Sequence, residues 1–159
     1  TRSRSMNKKA EMLDKFLADE NITAFERKDF EDEEGSVIYR SYVQSPLGDM
    51  PFFVITDNSV YTVLRLVVGP QVVTADNKAD INDFINHENA YYKSMKYYID
   101  EEDQTVYMDC VYIAADGQFE APLLYALMNQ MVERIPEISG DLKNAYQLEG
   151  HFQVPDHQH

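Results

Sequence analysis

The chain has 159 residues, of which 44% are apolar, and this size suits a single domain with a buried core. Its 14 Lys and Arg residues against 28 Asp and Glu residues give a formal net charge of −14. Such a charge disfavours binding to nucleic-acid phosphates and to anionic membranes, so we predict no nucleic acid and no membrane as partners. Neutral, apolar or basic partners remain, although acidity can also serve solubility alone.

The cysteine content and the apolar runs predict where the protein resides. The single cysteine, Cys110, cannot form an intramolecular disulfide, which is typical of a reducing compartment. The sequence has no run of about 18 apolar residues that could span a membrane. The basic residues 1–5 are not followed by the apolar segment of a secretory signal. We therefore expect a cytoplasmic protein.

The first half of the sequence predicts a helix followed by four strands. Residues 6–20 carry apolar side chains at helical spacing, namely Ala10, Leu13, Phe16 and Leu17. Strand patterns follow at residues 22–30, 36–44, 50–56 and 60–68. Short turns containing Gly, Pro, Asp or Asn separate these strands, which predicts antiparallel neighbours.

The strand predicted at residues 60–68 is apolar at both alternating sets of positions. Leu64, Leu66 and Val68 belong to one set, and Val63 and Val67 belong to the other. A strand of this kind is either covered on both faces or lies in an interface.

The second half predicts a helix, a hairpin and a closing helix. The helix covers residues 77–90, with Asp76 or Asn77 as its cap, and the hairpin strands cover residues 93–100 and 105–114. The last helix begins near Phe119 and is predicted to be interrupted at Pro136, before one short further helical turn.

These elements predict an α+β fold, in which an antiparallel β-sheet is flanked by helices in the order α-ββββ-α-ββ-α. We expect one domain at residues 6–147, with flexible termini at residues 1–5 and 148–159.

The search for chemistry predicts no catalytic, cofactor-binding or metal-binding residue. No glycine-rich phosphate loop and no paired cysteines or histidines with zinc spacing occur. The acidic segments 31–34 and 100–103 lack the ligand spacing of a calcium loop and are predicted to be solvated turns. His87 is expected at a helix end, and Cys110 is expected to be buried and inert. We therefore predict a protein that is not an enzyme.

The aromatic residues give a candidate binding surface. The chain has 11 tyrosines and eight phenylalanines but no tryptophan. Tyrosine is enriched in protein interfaces because it combines apolar area with a polar tip, although it also suits ordinary half-exposed strands. The tyrosines of the predicted hairpin are the predicted partner-binding residues: Tyr97, Tyr98, Tyr107 and Tyr112.

Several segments resemble the C-terminal half of the YbjN family, a bacterial group described as sensory transduction regulators. They are Ile-Asn-Asp-Phe-Ile-Asn at 81–86, Met-Lys-Tyr-Tyr-Ile-Asp at 95–100, Val-Tyr-Met-Asp at 106–109 and the apolar helix at 123–135. Asn86 best matches an asparagine that ends the family's helix before the hairpin. That family is similar in fold to the class I type III secretion chaperones, so the resemblance implies a protein-binding scaffold that forms a homodimer.

Three hypotheses for function follow. The first is a non-enzymatic protein-interaction domain, regulatory or chaperone-like, that binds a protein partner. The second is a small-molecule-binding or enzymatic domain with a pocket that the sequence does not reveal. The third is a structural homo-oligomer with residues 60–68 or the last helix in its interface.

Overall fold

The computed structural model describes residues 7–115 and 117–152. Within these residues the chain forms three helices and six strands: α1 (Lys8–Asp19), β1 (Glu26–Asp29), β2 (Val37–Val43), β3 (Met50–Thr56), β4 (Tyr61–Gly69), α2 (Lys78–Tyr91), β5 (Lys96–Asp100), β6 (Thr105–Ile113) and α3 (Ala121–Tyr146). The α+β fold class and the predicted order of elements are confirmed. The predicted terminus at 1–5, residues 153–159 of the predicted tail and Asp116 of a predicted turn lie outside the described residues.

The six strands form one antiparallel sheet in the order β1-β2-β3-β4-β6-β5. Strands β1 to β4 are successive neighbours, as the short turns predict. Strand β6 then pairs with β4, which leaves β5 at the edge. The strand with the most apolar sequence, β4, is therefore central in the sheet.

All three helices pack on one face of this sheet. The alternation along β3 shows which face the helices cover. Phe52 and Val54 are buried, whereas the alternate residues Phe53 and Ile55 are half-buried. Helix α3 contacts both α1 and α2. The hydroxyl of Tyr39 in β2 donates to the carbonyl oxygen of Ala10 in α1 at 3.1 Å, which ties the sheet to the helical layer.

The first helix is fixed to the sheet by its N-cap. The side-chain oxygen of Asn7 accepts a hydrogen bond from the backbone N–H of Ala10 at 2.9 Å. Its amide nitrogen donates to the Gly35 carbonyl at 2.8 Å and to the Thr56 hydroxyl at 2.9 Å. The cap therefore both begins α1 and holds it against the hairpin of β2 and β3.

Helix α3 continues through Pro136, so the predicted interruption is wrong. Proline removes one backbone hydrogen bond from a helix interior. Here the same buried stripe runs on both sides of it, through Met131, Ile135, Ile138 and Leu142. Packing of this stripe against the core offsets the lost bond, which a local sequence pattern does not reveal.

The side chain of Asn77 does not cap α2, although Asn77 is the N-cap residue. Its oxygen accepts from the Thr74 N–H at 2.7 Å. Its amide nitrogen donates to the carbonyls of Val72 and Tyr146, at 2.8 and 3.0 Å. This buried side chain therefore joins the loop before α2 to the end of α3.

Residues 148–152, predicted as the start of a tail, return to the core. Phe152 is buried, its N–H donates to the Leu47 carbonyl at 2.8 Å, and its ring lies 6.3 Å from that of Tyr146. The fully buried Tyr146 donates its hydroxyl to the Val68 carbonyl at 3.0 Å. This contact needs glycine at position 69, since a Cβ there would lie 2.6 Å from the Tyr146 hydroxyl oxygen.

We expect Gly69→Ala to lower the free energy of unfolding by about 1–3 kcal/mol, because the added methyl group overpacks the Tyr146 site. Gly140→Ala is the matched control. Gly140 is exposed in α3 with open space around it, so the same change should raise stability by about 0.5–1 kcal/mol through helix propensity. Urea unfolding of both variants measures the difference, and equal effects of the two substitutions would contradict the close approach.

Candidate functional site

The face of the sheet opposite the helices, here called the open face, is the candidate functional site. No helix or loop among residues 7–115 and 117–152 covers it, so alternate side chains of all six strands lie toward solvent. The sequence predicted that residues 60–68 are either covered on both faces or lie in an interface. In the structure this strand has one covered face and one open face.

The strand registers arrange the open face in three rows that run across the strands. The first, the apolar row, contains Ile38, Ile55, Val63 and Val111. The second, the charged row, contains Glu26, Arg40, Phe53, Arg65, Asp109 and Lys96. The third, the aromatic row, contains Tyr42, Pro51, Val67, Tyr107 and Tyr98.

Several large apolar side chains of this face are exposed. Val111 is 40% exposed and Tyr42 is 43% exposed, and Tyr61 and Ile113 beyond the apolar row reach 53% and 64%. A contiguous exposed apolar patch on a protein marks an interaction surface more often than a single exposed residue does. Phe53, Ile55 and Val63 join these residues across the middle of the sheet.

An ion pair lies in the middle of the open face. The Nε and one Nη of Arg65 donate to the two carboxylate oxygens of Asp109, each at 3.0 Å. The Tyr98 hydroxyl donates to the same carboxylate at 3.1 Å, and the Arg65 guanidinium lies 5.6 Å from the centre of the Tyr107 ring. Because Asp109 is only 4% exposed, these donors replace the water that its charge would otherwise need.

The electrostatics of this cluster favour the protonated forms of Arg65 and Tyr98. The hydrogen bond with Asp109 raises the pKa of Arg65. Burial, followed by the negative charge of Asp109, raises the pKa of Tyr98 to about 12. Both groups therefore keep their protons at neutral pH, and the cluster fixes side-chain positions rather than moving a proton.

The structure separates the four predicted partner-binding tyrosines. Tyr98 and Tyr107 lie on the open face, where their rings stack at 5.5 Å. Tyr97 and Tyr112 lie on the covered face and are 3% and 8% exposed. The Tyr97 ring packs edge-on against Phe84 of α2, and the Tyr112 ring packs against Phe119. Tyr97 and Tyr112 therefore offer almost no surface to a partner, because adjacent residues of a strand point to opposite faces.

A buried ion pair also lies within the helical layer. Glu88 of α2 accepts from Arg134 of α3 at 2.7 Å, and the Arg134 guanidinium stacks 4.1 Å from the centre of the Tyr92 ring. The hydroxyl of Tyr97 donates to the same Glu88 carboxylate at 3.4 Å. Both helices and β5 meet at this pair, which gives it a structural role.

Both edges of the sheet are protected against pairing with another strand. At β5, the N–H of Tyr97 donates to the Asn89 side-chain oxygen at 2.8 Å, and the Asn89 amide donates back to the Tyr97 carbonyl at 3.1 Å. Asn86, which the YbjN resemblance singles out, is also exposed and is not the asparagine that makes these bonds. At the other edge, β1 has four residues, all of them charged. Short, charged or occupied edges of this kind resist strand addition.

Three hollows formed by the described residues differ widely in volume. A cavity of about 10 Å³ lies among apolar side chains of α1, α3 and the sheet. A shallow groove of about 350 Å³ lies on the open face between Pro51, Phe53, Ile55, Arg65, Val67 and Tyr107. A cleft of about 520 Å³ lies beside the start of α1 and the turn at residues 57–59.

In the described part of the chain, no three His, Cys, Asp or Glu side chains converge as metal ligands. Nor does any helix there have the length and apolar character to cross a membrane. Cys110 is buried on the covered face, and burial, followed by the charge of Asp109, raises its pKa.

Comparisons with known proteins were also made. No protein-family model matches this chain, and no curated protein shows significant similarity to it.

We expect Asp109→Asn to lower the free energy of unfolding by about 1–3 kcal/mol, because an amide cannot accept both hydrogen bonds from Arg65. Asp103→Asn is the control. The exposed Asp103 carboxylate accepts from the Tyr107 hydroxyl and from the Thr105 N–H, and the amide oxygen of Asn can keep one of these bonds, so the change should cost less than about 0.5 kcal/mol. Urea unfolding at one protein concentration compares them. Equal losses would show that the central ion pair has no special role.

A second prediction concerns alkaline pH. Folding raises the pKa of Tyr98 from 10.0 to about 12, so the native state binds this proton more tightly than the unfolded state does. The resulting stabilisation is complete below pH 10 and is lost as the pH rises through 12. Tyr98→Phe should therefore lose less stability than the wild type between pH 10 and 11.5. Urea unfolding across this range tests it, and parallel pH profiles of the two proteins would contradict it.

Proposed function

We propose that this chain is a non-enzymatic protein-interaction domain, regulatory or chaperone-like, whose partner packs on the open face. The observation that carries the proposal is the pair of partly exposed rows, apolar and aromatic, that flank the charged row on the open face. Arg65 and the tyrosines Tyr42, Tyr98 and Tyr107 add to it, because Arg and Tyr are enriched at protein interfaces.

The protected edges favour packing of a folded surface over addition of a peptide strand. Strand addition needs unpaired backbone groups along an edge. In β5 the side chain of Asn89 already binds the backbone N–H and carbonyl of Tyr97. Strand β1 is short and charged. The partner is therefore expected to meet the side chains of the open face rather than the backbone of its edges.

A small-molecule-binding or enzymatic role has weaker support. The cleft of about 520 Å³ beside the start of α1 is the larger candidate location. The groove on the open face is another, and the polar groups there are Arg65 and Tyr107. Both are already engaged, with Asp109 and Asp103 respectively. A binding pocket is expected to present polar groups that converge on open space.

The resemblance to the YbjN family and to type III secretion chaperones supports the proposal, because it implies a protein-binding scaffold. A cytoplasmic location is proposed from the unpaired, buried Cys110. The net charge of −14 supports a protein partner over nucleic acid or an anionic membrane.

A photo-crosslinking experiment tests the proposed surface. A benzophenone amino acid at Val111, which is 40% exposed on the open face, should give covalent adducts with a polypeptide in cells that express the protein. Leu123, 46% exposed on α3, provides the matched control position on the helical side. Peptide mapping by mass spectrometry identifies the polypeptide and the site of each adduct.

We expect a high yield of adducts at Val111 and a low yield at Leu123. An absence of polypeptide adducts at Val111, or equal yields at the two positions, would overturn the open face as the interaction surface.

A further inference from the structure

We propose that the occupant of the open face is a second copy of this chain, packed face to face about a two-fold axis parallel to the strands. This inference rests on the proposed function and names its partner. It begins from the uneven distribution of charge. The charged side chains on the open face are Glu26, Lys28, Arg40, Arg65, Lys96, Asp100 and Asp109.

These residues make the open face nearly neutral on a strongly acidic protein. They are four of the 14 Lys and Arg residues and three of the 28 Asp and Glu residues, so the face carries +1 and the rest of the chain carries −15. A basic partner would be drawn to the acidic remainder instead. Two acidic copies repel each other least where each presents a neutral, apolar surface.

The order of charges along the charged row is self-complementary. Across the sheet the row reads Glu26, Arg40, Phe53, Arg65, Asp109 and Lys96. A two-fold axis along the strands, between β3 and β4, lays the same row over it in reverse. Glu26 then faces Lys96 of the second copy, Arg40 faces its Asp109, and Phe53 faces the guanidinium of its Arg65. Opposite charges meet at the position of Glu26 and Lys96, and a cation meets an aromatic ring at that of Phe53 and Arg65. Asp109 is 4% exposed and bonded to Arg65 and Tyr98, so Arg40 lies over a carboxylate that is already paired.

The other two rows match under the same axis. Ile55 faces Val63 of the second copy, and Ile38 faces its Val111, so the apolar row packs on itself. In the aromatic row Tyr42 faces Tyr107 of the second copy. Face-to-face sheets cross at about 30°, which leaves the central pairs directly opposite one another. It shifts the outermost pair, Glu26 and Lys96, by about 6 Å along the strands, a distance that these long side chains can span.

The alternative axis within the plane of the sheet does not fit. A two-fold axis that runs across the strands along the charged row would lay Arg40 over Arg40 of the second copy and Glu26 over its Glu26. Like charges placed directly opposite each other destabilise an interface. The charge pattern therefore selects the axis that runs along the strands.

The area of the open face suits a dimer. Six strands about 4.8 Å apart and about seven residues long, at about 3.3 Å per residue, present on the order of 600 Å² per copy. A standard interface buries roughly 600–1,000 Å² per partner. The whole open face is thus needed to form a stable contact, and no part of it is left for a separate binding site.

Sedimentation equilibrium of the full chain at 100 and 500 mM NaCl tests the dimer. We expect a dimer that tightens as salt rises, because screening weakens the repulsion between two bodies of charge −14. Val63→Asp should weaken dimerisation more than tenfold, since it adds two carboxylates to the middle of the apolar row. Leu123→Asp carries the same change on the helical side and should leave the dimer intact. Circular dichroism checks that both variants fold.

Mixed charge variants test the axis. A homodimer of the Glu26→Lys variant places like charges opposite each other, and so does a homodimer of the Lys96→Glu variant. A mixed dimer, with one copy of each variant, restores two opposite-charge pairs. Native mass spectrometry of a mixture of the two variants should therefore show more than the statistical half of heterodimer. A heterodimer fraction at one half would overturn the proposed axis.

Three results would overturn the second copy as the occupant. They are a monomer at both salt concentrations, a dimer that weakens with salt, and a dimer that survives Val63→Asp. Adducts at Val111 with a different protein would overturn it too but would support the proposed function. An absence of any polypeptide adduct at Val111 would overturn both.

Discussion

The structure depends on a helical layer that covers only one face of a six-stranded sheet. On the covered side, α3 packs between α1 and α2, and residues such as Tyr39, Phe52 and Leu64 are removed from water. On the other side, the same strands carry Phe53, Ile55 and Val63 without a covering element among the described residues. Burial of these side chains is worth about 25 cal/mol per Å² of apolar surface, and the chain alone leaves part of this free energy unused. The location of the helices thus determines where a partner stabilises the protein most.

The ion pair of Arg65 and Asp109 gives this apolar surface its specificity. An ion pair with one buried partner, here Asp109, contributes little net stability compared with apolar side chains of similar volume, because the buried charge loses its hydration. It does restrict which surface can be placed over it, since a wrong partner leaves polar groups unpaired. Tyr98 and Tyr107 hold the two charges in place from one side. A face built from apolar residues alone would associate in many registers, whereas this one prefers few.

Much of the fold could be predicted from sequence, because turns and alternation are local signals. The order of elements followed from segments such as residues 60–68 and 105–114. Helix continuity at Pro136 and the burial of Phe152 could not be predicted, since both depend on packing between residues far apart in sequence. Two of the four predicted partner-binding tyrosines, Tyr98 and Tyr107, lie on the open face, and the other two do not. Strand alternation already placed Tyr107 and Tyr112 on opposite faces, yet both were chosen for their residue type. The sequence does contain an indication of the role of Asp109, because it is an acidic residue between apolar neighbours in a strand. A carboxylate buried there needs a paired cation.

The contacts of Tyr146 and Phe152 have a consequence for how the protein is made. Tyr146 reaches back to Val68 in the central strand, and Phe152 reaches back to Leu47 in the turn between β2 and β3. A ribosome adds these residues after all six strands have been synthesised, so a nascent chain that ends before residue 146 has a sheet without its closing contacts. Native packing is therefore completed only after translation has passed residue 152. Until then the emerging chain exposes apolar surface on both sides of its sheet, and this is the stage at which it most needs protection from aggregation.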